Sequence, residues 1–221
     1  MAEQRICLQV MRACPSDPSA VRLQVQAQLA SLSQAQQLVC ERYIALLLHW
    51  GRAINLTAVK DPEQIVTRHF ADSLSLVSCL PATDALPQPT LLDVGSGAGF
   101  PGVLCALCRP DLQVTLCERV GKKAAFLLAL RRQLGLSYEV VSADGQTLNR
   151  RFGLVVSRAA LPLQRWLDLA QNLVAPSGFV YAMTSADEAS PKLPQTLVSL
   201  APFEYQLGGA SRCVLGFRCV A

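Results

Sequence analysis

The chain has 221 residues, of which 51% are hydrophobic, and its formal net charge is +4. This length and apolar content exclude a disordered protein and allow one large domain, or a core domain with an extension. Its uncharged runs are shorter than the roughly 18 to 20 residues of a membrane span, and its first residues lack a signal-peptide apolar region, so we expect a cytoplasmic protein.

Nine cysteines are scattered along the chain, mostly within apolar runs. Cysteine in such a run behaves as a small apolar residue in a reducing compartment. Cys105 and Cys108 form the only C-x-x-C spacing in the sequence, and no second pair or histidine cluster supplies the other ligands of a zinc site. We therefore expect reduced, packed cysteines and no metal.

The first part of the chain predicts a tail followed by helices. Residues 1–19 hold two prolines and no clear periodicity, which indicates a loose tail. Residues 20–80 show helical spacing, with Ser33 as a candidate cap for a helix that ends near Trp50, and Asp61-Pro62 as the start of another. We expect a helical extension over 20–80.

The second of these helices carries an unusual set of polar residues. Arg68 and His69 stand three to five positions before Asp72 and Ser73, so a helix displays them on neighbouring turns of one face, and Asn55 precedes them. One interpretation is an ion pair between Arg68 and Asp72, with His69 as a cap or packing residue. The other is a lid over a binding site, and spacing alone favours the first.

A glycine-rich turn follows the first predicted strand, at 90–94. Asp93 ends an apolar run, and Gly95, Gly97 and Gly99 then allow backbone conformations that other residues avoid. Such a loop brings backbone amides close to a ligand. Because the loop lies between a strand and an apolar helix, its context favours a nucleotide-type ligand over simple turn glycines.

Two cofactor classes fit this loop. Gly97, Gly99 and Gly102 match the dinucleotide fingerprint G-x-G-x-x-G, although a lone match of this kind is weak. The register Asp93-x-Gly95-x-Gly97-x-Gly99 resembles motif I of methyltransferases that use S-adenosylmethionine (SAM). Pro101 lacks the N–H that a pyrophosphate would use at a helix start, and this favours SAM over NAD.

Strands and helices then alternate over 81–221, the predicted main domain. The strands are at 90–94, 113–118, 138–142, 153–157 and 178–183, the helices are at 101–109, 121–134 and 162–175, and a hairpin is at 203–207 and 213–220. This alternation predicts an α/β protein with a Rossmann-like, mainly parallel sheet covered by helices on both faces.

The carboxyl ends of these strands should form a ligand crevice. Glu118 ends the second strand, where a carboxylate can accept hydrogen bonds from both ribose hydroxyls of an adenosine. Asp144 follows the third strand, where it can accept from an adenine amine while Ala143 offers its N–H. Arg158 ends the fourth. Glu118 and Asp144 also remain open to interpretation as exposed strand ends.

Positive charge is concentrated in one sector. Between Arg119 and Arg165 there are nine Lys or Arg residues against two acidic residues. A basic sector beside a ligand site indicates a polyanionic partner, most often nucleic acid, although a solvated helix face fits the same count.

Several motifs together resemble the ribosomal RNA small subunit methyltransferase G family, also called glucose-inhibited division protein B. The resemblance covers roughly 40–221. It depends on Asn55-Leu56-Thr57, Arg68-His69-x-x-Asp72-Ser73, the loop from Asp93 to Gly102, Gly121-Lys122-Lys123 and Ser157-Arg158-Ala159. Several motifs in the same order are more specific than any one of them.

The resemblance implies a SAM-dependent enzyme with a class I methyltransferase sheet that methylates N7 of a guanine in a decoding-region loop of 16S rRNA. It implies the 30S subunit as partner, and a monomer is the default expectation. The residues that would contact SAM are Gly95, Gly97, Gly99, Phe100, Ala143 and Asp144, beside Asp93 and Glu118. Those that would contact RNA are Lys122, Lys123, Arg158 and Arg212.

The resemblance also implies that the helix with Arg68, His69, Asp72 and Ser73 is a lid. Guanine N7 has a free lone pair and no proton to lose, so no general base is required. Arg158 is then interpreted as a positioning group that contacts a phosphate, guanine O6 or the SAM carboxylate.

Three positions depart from the family pattern. Gly51 replaces a common Asn, Ser142 replaces a common Arg, and Thr184 replaces a common Lys. Two other function classes therefore stay open: a SAM enzyme that acts on a small molecule or protein, and a catalytically silent RNA-binding module.

Overall fold

The computed structural model describes residues 29–188 and 191–220. The predicted tail at 1–19, and the first part of the predicted extension, lie outside these residues. The helices are α1 Gln34–Trp50, α2 Pro62–Ile65, a π-helical segment Val66–Ala71, α3 Asp72–Cys79, α4 Gly102–Cys108, α5 Gly121–Leu134 and α6 Leu163–Leu173, with 3-10 turns at Thr83–Ala85 and Gly145–Thr147. The strands are β1 Thr90–Val94, β2 Gln113–Cys117, β3 Glu139–Val141, β4 Phe152–Arg158, β5 Val174–Ser185, β6 Leu197–Ser199, β7 Phe203–Leu207 and β8 Ala210–Cys219.

The strands form one eight-stranded sheet in the order β3-β2-β1-β4-β5-β8-β6, with β7 also paired to β8. Strands β1 to β5 are parallel, and β8 runs antiparallel to β5. The strand order reverses between β1 and β4, so the carboxyl ends of these two strands frame the switch point where ligands bind in such sheets. The predicted α/β class is confirmed.

Residues on β1 alternate between two cores, one on each face of the sheet. Leu91 packs in the core formed with α1, the π-helical segment, α3, α4 and α5, and Leu92 packs in the core under α6. This alternation follows from the two-residue period of a strand. It places helices on both faces, as the alternation of elements predicted.

Helix α1 begins as predicted. Ser33 accepts a hydrogen bond from the backbone N–H of Gln36, whose side chain bonds back to the backbone of Ser33 in a capping box. Gln36 also donates to the carbonyl of Leu107, which ties α1 to the end of α4.

Two sequence predictions need correction. Helix α6 ends at Leu173 and β5 begins at Val174, so the predicted boundaries at 175 and 178 are wrong. Strand β6 was not predicted, because its three residues are too short for alternation to be visible.

Residues 62–79, the predicted lid, form α2, the π-helical segment and α3, and they contact the end of β4 through Asp72 and Arg158. Asp61 caps α2 by accepting from the N–H of Gln64. The π-helical segment holds Arg68 and His69, and π-helical turns occur often at functional sites. Among the described residues, no helix is both long and apolar enough to cross a bilayer.

Candidate active site

The loop after β1 has the left-handed backbone conformations that its glycines predicted. Gly95, Gly97 and Gly99 have φ values of 73°, 55° and 98°. A Cβ atom on Gly95 would collide with Ala160, and one on Gly99 would collide with Tyr43. The loop therefore lies tightly between the turn after β4 and helix α1, and only glycine fits at these positions.

Asp93 supports this loop from inside the protein. Its side chain is fully buried, and Oδ2 accepts the N–H of Gly102 at 3.0 Å. Burial raises the pKa of this carboxyl to about 7. Its Oδ1 has no hydrogen-bond partner within the described chain, and a buried acceptor of this kind is suited to a donor from a ligand.

Glu118 lies at the end of β2, next to the loop. Its two carboxylate oxygens accept the N–H of Gly97 at 2.8 Å and the N–H of Val120 at 2.7 Å. These bonds hold the carboxylate in place and occupy only part of its roughly four lone-pair sites. The remaining acceptors match the predicted contact with ribose hydroxyls.

The side chain of Phe100 packs against both helix α1 and the residues around Arg158. Its ring is only 3% exposed and stacks on Tyr43 with ring centroids 4.9 Å apart. Tyr43 also donates its hydroxyl to the carbonyl of Ala98 at 2.5 Å. The ring also lies 5.1 Å from the ring of His69, between centroids, and 5.5 Å from the guanidinium carbon of Arg158, so Phe100 packs between helix α1 and the Arg158 network.

Asp144 lies at the next strand end. Its Oδ1 accepts the N–H of Gln146, and its Oδ2 lies 4.0 Å from Arg119 in an exposed ion pair. The carbonyl of Ala143 accepts from the Cys117 thiol, which fixes this turn against β2. Half of the Asp144 carboxylate remains accessible, at 45% side-chain exposure. The structure thus brings Ala143 and Asp144 to the same edge as Glu118.

Arg158 at the end of β4 joins the sheet to the lid. Its Nη1 donates to Asp72 Oδ2 at 3.1 Å and to the carbonyl of Arg68 at 3.0 Å. Asp72 is 1% exposed, and its second oxygen accepts from Tyr205 at 2.6 Å and lies 3.6 Å from Arg212. Among the described residues, Asp72 thus forms its ion pairs with Arg158 and Arg212 rather than with Arg68. The predicted ion pair between Arg68 and Asp72 within one helix is therefore wrong.

His69 lies between Arg158 and Thr57. Its Nδ1 is 3.2 Å from the guanidinium of Arg158, and its Nε2 is 2.7 Å from the Thr57 hydroxyl. Burial first, and then the positive charge of Arg158, lower the pKa of His69 to about 4. The imidazole is therefore neutral at pH 7. Its Nδ1 also lies 3.0 Å from the carbonyl of Arg68, so this nitrogen accepts from Arg158 in the tautomer with the proton on Nε2 and donates to Arg68 in the other.

The other predicted lid residues have separate places. Ser73 is buried and donates to the carbonyl of His69, which supports the π-helical segment. The side chains of Arg68 and Asn55 are exposed. The structure thus joins His69 and Asp72 to Arg158 and leaves Arg68 and Asn55 at the surface.

The predicted RNA contacts lie around the same edge. Lys122 is exposed and Lys123 is half-buried in the first turn of α5, directly after Glu118. Arg212 on β8 lies beside Asp72, with its side chain 25% exposed. Positive side chains therefore border the crevice on both sides of the sheet's switch point.

Two site residues escaped the sequence analysis. Tyr43 and Tyr205 stand in apolar or alternating runs, where tyrosine usually packs through its ring. Only the tertiary structure brings their hydroxyls to Ala98 and Asp72. The sequence held no signal for these contacts.

Comparisons with known proteins agree with this geometry. The family model described as "GidB: rRNA small subunit methyltransferase G" matches residues 35–197. A protein named ribosomal RNA small subunit methyltransferase G from Burkholderia ambifaria is 39% identical over 174 residues, which are 75% of each chain. One with the same name from Anaeromyxobacter sp. is 37% identical over 190 residues, covering 80% of this chain and 86% of that protein.

Solved structures with low identity share the fold. MtNAS in complex with S-adenosylmethionine has a TM-score of 0.56 at 12% identity, covering 98% of this chain and 96% of that one. TrmN from Thermus thermophilus has a TM-score of 0.51 at 18% identity, covering 67% of this chain and 48% of that one. The sequence relatives and the matched residues identify the family: this chain belongs to the rRNA small subunit methyltransferase G family.

Proposed function

We propose that this protein transfers a methyl group from SAM to N7 of a guanine in 16S rRNA, with the 30S subunit as its substrate. The observation that carries the proposal is the contact of Arg158 with Asp72 of the predicted lid, because Arg158 stands two residues before Ala160, which meets the glycine loop at Gly95. We propose that the protein acts as a cytoplasmic monomer.

The residues present fit a SAM-type ligand. The glycine loop offers a cradle that a side chain at Gly95 would fill, Asp93 holds a buried unpartnered oxygen in the described chain, and Glu118 has spare acceptors for hydroxyls. Asp144 would bind the adenine amine. When bound there, SAM supplies a methyl group on a positively charged sulfur.

Transfer to N7 requires alignment more than proton movement. The N7–methyl bond forms as the sulfur–methyl bond breaks, and the sulfur keeps the electron pair of that bond. Guanine N7 loses no proton, so a general base is not needed. Placing the reacting atoms in line can contribute roughly 7 to 11 kcal/mol. This chain's residues therefore act by binding, orienting and excluding water.

Arg158 is the main positioning residue in this account. Its guanidinium is held by Asp72 and by the carbonyl of Arg68, with a side-chain exposure of 15%. The methylated base gains positive charge, so a guanidinium directly over N7 would be unfavourable. Arg158 would instead order the lid and meet a phosphate or guanine O6 with its remaining donors.

The basic edge supports RNA as the substrate rather than a small molecule. Lys122 and Arg212 border the crevice, and such charges contribute sequence-independent affinity for phosphates. An intact loop with Asp93 and Glu118 supports an active enzyme rather than a silent RNA-binding module.

The test is transfer of a radiolabelled methyl group from SAM to 30S subunits from a strain that lacks this gene. Naked 16S rRNA and 50S subunits serve as parallel acceptors. We expect label on 30S subunits at one nucleotide, mapped by chain cleavage at N7-methylguanosine. A protein that binds SAM but labels none of these RNAs would move the assignment to another acceptor.

A further inference from the structure

A cavity of about 260 Å³ lies at the carboxyl ends of β4 and β5, beside the crevice described above. Its wall is formed by Trp166, Leu161 and Met183, and its polar groups include Thr184, Glu188 and Arg212. This volume is just below the roughly 300 to 1,000 Å³ of pockets for drug-sized ligands. The cavity thus suits one flat base better than a whole cofactor.

A single turn, residues 159–161, lies between the cavity and the glycine loop. Ala160 touches the position of Gly95, and its neighbours Ala159 and Leu161 line the cavity. Ala159 has a φ of 52°, so this turn is sharply bent. A base that entered the cavity would therefore have one edge directed at the loop and the other at β5.

Glu188 is held at the β5 end of this cavity. Its carboxylate Oε2 accepts from the hydroxyl of Thr184 at 2.9 Å, and its backbone N–H donates to the carbonyl of Ser185. Thr184 therefore orients the exposed Glu188 carboxylate at the rim of the cavity. A carboxylate has about four acceptor sites, and Thr184 uses one of them.

Trp166 adds an apolar wall to the cavity. Its side chain is only 2% exposed and its indole Nε1 is itself buried, so this residue contributes apolar surface and no donor that a ligand in the cavity can reach. Aromatic side chains are also the usual stacking surface for an unstacked RNA base.

We infer that this cavity receives the target guanine and that Glu188, oriented by Thr184, accepts hydrogen bonds from its N1–H and N2–H2 groups. The inference rests on the proposed function and names the group that selects guanine. Adenine presents a lone pair at N1 and no amine at C2, so it would meet the carboxylate with an acceptor. Guanine held by this edge presents N7 on the opposite side, toward the turn at Ala160.

The inference is tested with subunits in which the target guanosine is replaced by inosine, which keeps N7 and N1–H but lacks the amine at C2. We expect the wild-type protein to methylate guanosine with a kcat/KM about ten times that for inosine. Glu188→Gln should lose at least ten-fold on guanosine and nearly all of this preference, with an unchanged Kd for SAM.

Asp187→Asn is the matched control, because it removes the same charge from an exposed neighbouring residue. It should keep both the rate and the preference for guanosine. The rate and the guanosine preference of Thr184→Val should lie between those of Glu188→Gln and Asp187→Asn, because this substitution removes the hydroxyl that orients the carboxylate but keeps the carboxylate. Glu188→Gln with the activity and preference of Asp187→Asn would overturn the inference.

Binding without methyl transfer separates this inference from the proposed function. In a Trp50→Phe background, emission from Trp166 reports on the cavity, and GMP should quench it at a concentration at least ten-fold lower than IMP. This difference should disappear in Glu188→Gln. Equal quenching by GMP and IMP in the protein with Glu188 unchanged would overturn the inference. If the GMP preference is present but the wild-type protein does not label 30S subunits, only the proposed function is overturned.

Discussion

The hydroxyl of Tyr205 donates to the carboxylate of Asp72 at 2.6 Å, which joins strand β7 to the lid. The other oxygen of the same carboxylate accepts from Arg158 on β4. Burial and the Asp72 carboxylate raise the pKa of Tyr205, so its hydroxyl stays a donor across physiological pH. Asp72 thus holds together three elements that are far apart in the chain.

Asp72→Asn should destabilise the protein strongly. Asn keeps the shape of the side chain but leaves the guanidinium of Arg158 without its countercharge in a mostly buried place, which typically costs 3 to 5 kcal/mol. We expect the free energy of unfolding to fall by about 3 kcal/mol in urea titration. Methyl transfer should also fall at least ten-fold at a temperature where the variant is folded.

The matched control for this variant is Glu139→Gln, which removes the same charge from the pair with Arg150, where each side chain is 50% exposed. Exposed pairs contribute little, so its loss should stay below about 1 kcal/mol. Equal losses in the two variants would contradict a special role for the Asp72 network.

Gly95→Ala should impair SAM binding. A methyl group there meets Ala160, and the backbone has a φ of 73°. Gly135→Ala is a control with a similar φ of 66° and nothing within 4 Å of the added Cβ. Both variants should lose roughly 1 kcal/mol of stability from backbone strain. Isothermal titration should show a SAM affinity at least ten-fold weaker for Gly95→Ala alone, and a weakening of the same size in both variants would refute the cradle.

His69 should make the protein less stable in acid. Its pKa is about 4 when folded and about 6.5 when unfolded, so below pH 6.5 the unfolded chain binds a proton that the folded chain does not. The stability contributed by neutral His69 is therefore present above pH 6.5 and is lost as the pH falls toward 4.

The pH effect is measured as the difference between the wild-type protein and His69→Gln, because Asp93 titrates in the same range with the opposite sign. Burial raises the pKa of Asp93 to about 7, so its contribution falls as the pH rises from about 4 to 7. The unfolding free energies of the wild-type protein and His69→Gln should converge as the pH is lowered from 7 to 4. A constant difference across this range would show that His69 does not titrate as described.

Lys122→Gln should weaken RNA binding while leaving SAM binding intact. Lys122 is exposed in the first turn of α5, next to the crevice, whereas Arg132 is exposed in the last turn of the same helix. Loss of one phosphate contact lowers the salt dependence of log K by roughly 0.7 to 0.9. Filter binding at several salt concentrations should show this for Lys122→Gln and not for Arg132→Gln. The reverse result would place the RNA at the other end of α5.

Local sequence signals predicted the sheet and the cofactor loop well. The residue types of Asp93 and Gly95 alone indicate a strand end and a tight turn, and Ser33 indicates a helix cap. The lid network was different, because the partner of Asp72 is 86 residues away in Arg158 rather than four residues away in Arg68. Spacing along a helix describes only contacts within that helix, so the family resemblance was needed to suggest a lid.

Phe100 shows the same limit for packing contacts. Its place in the motif predicts contact with the ligand, but it does not predict that the ring stacks on Tyr43 and lies beside Arg158. A residue's side-chain direction depends on the helix that covers it, and here that helix comes from a segment more than 50 residues earlier. The sequence identified the loop but not which side of it each residue faces.

The central claim is that the accepting atom is N7 of a guanine. The most direct measurement places 7-deazaguanosine at the mapped nucleotide of 16S rRNA, assembles the 30S subunit, and follows transfer of the labelled methyl group. The account predicts that label is lost while binding of the subunit is unchanged, because carbon replaces only the accepting nitrogen. Label that persists at this nucleotide would show that methylation occurs on another atom, and it would contradict the account.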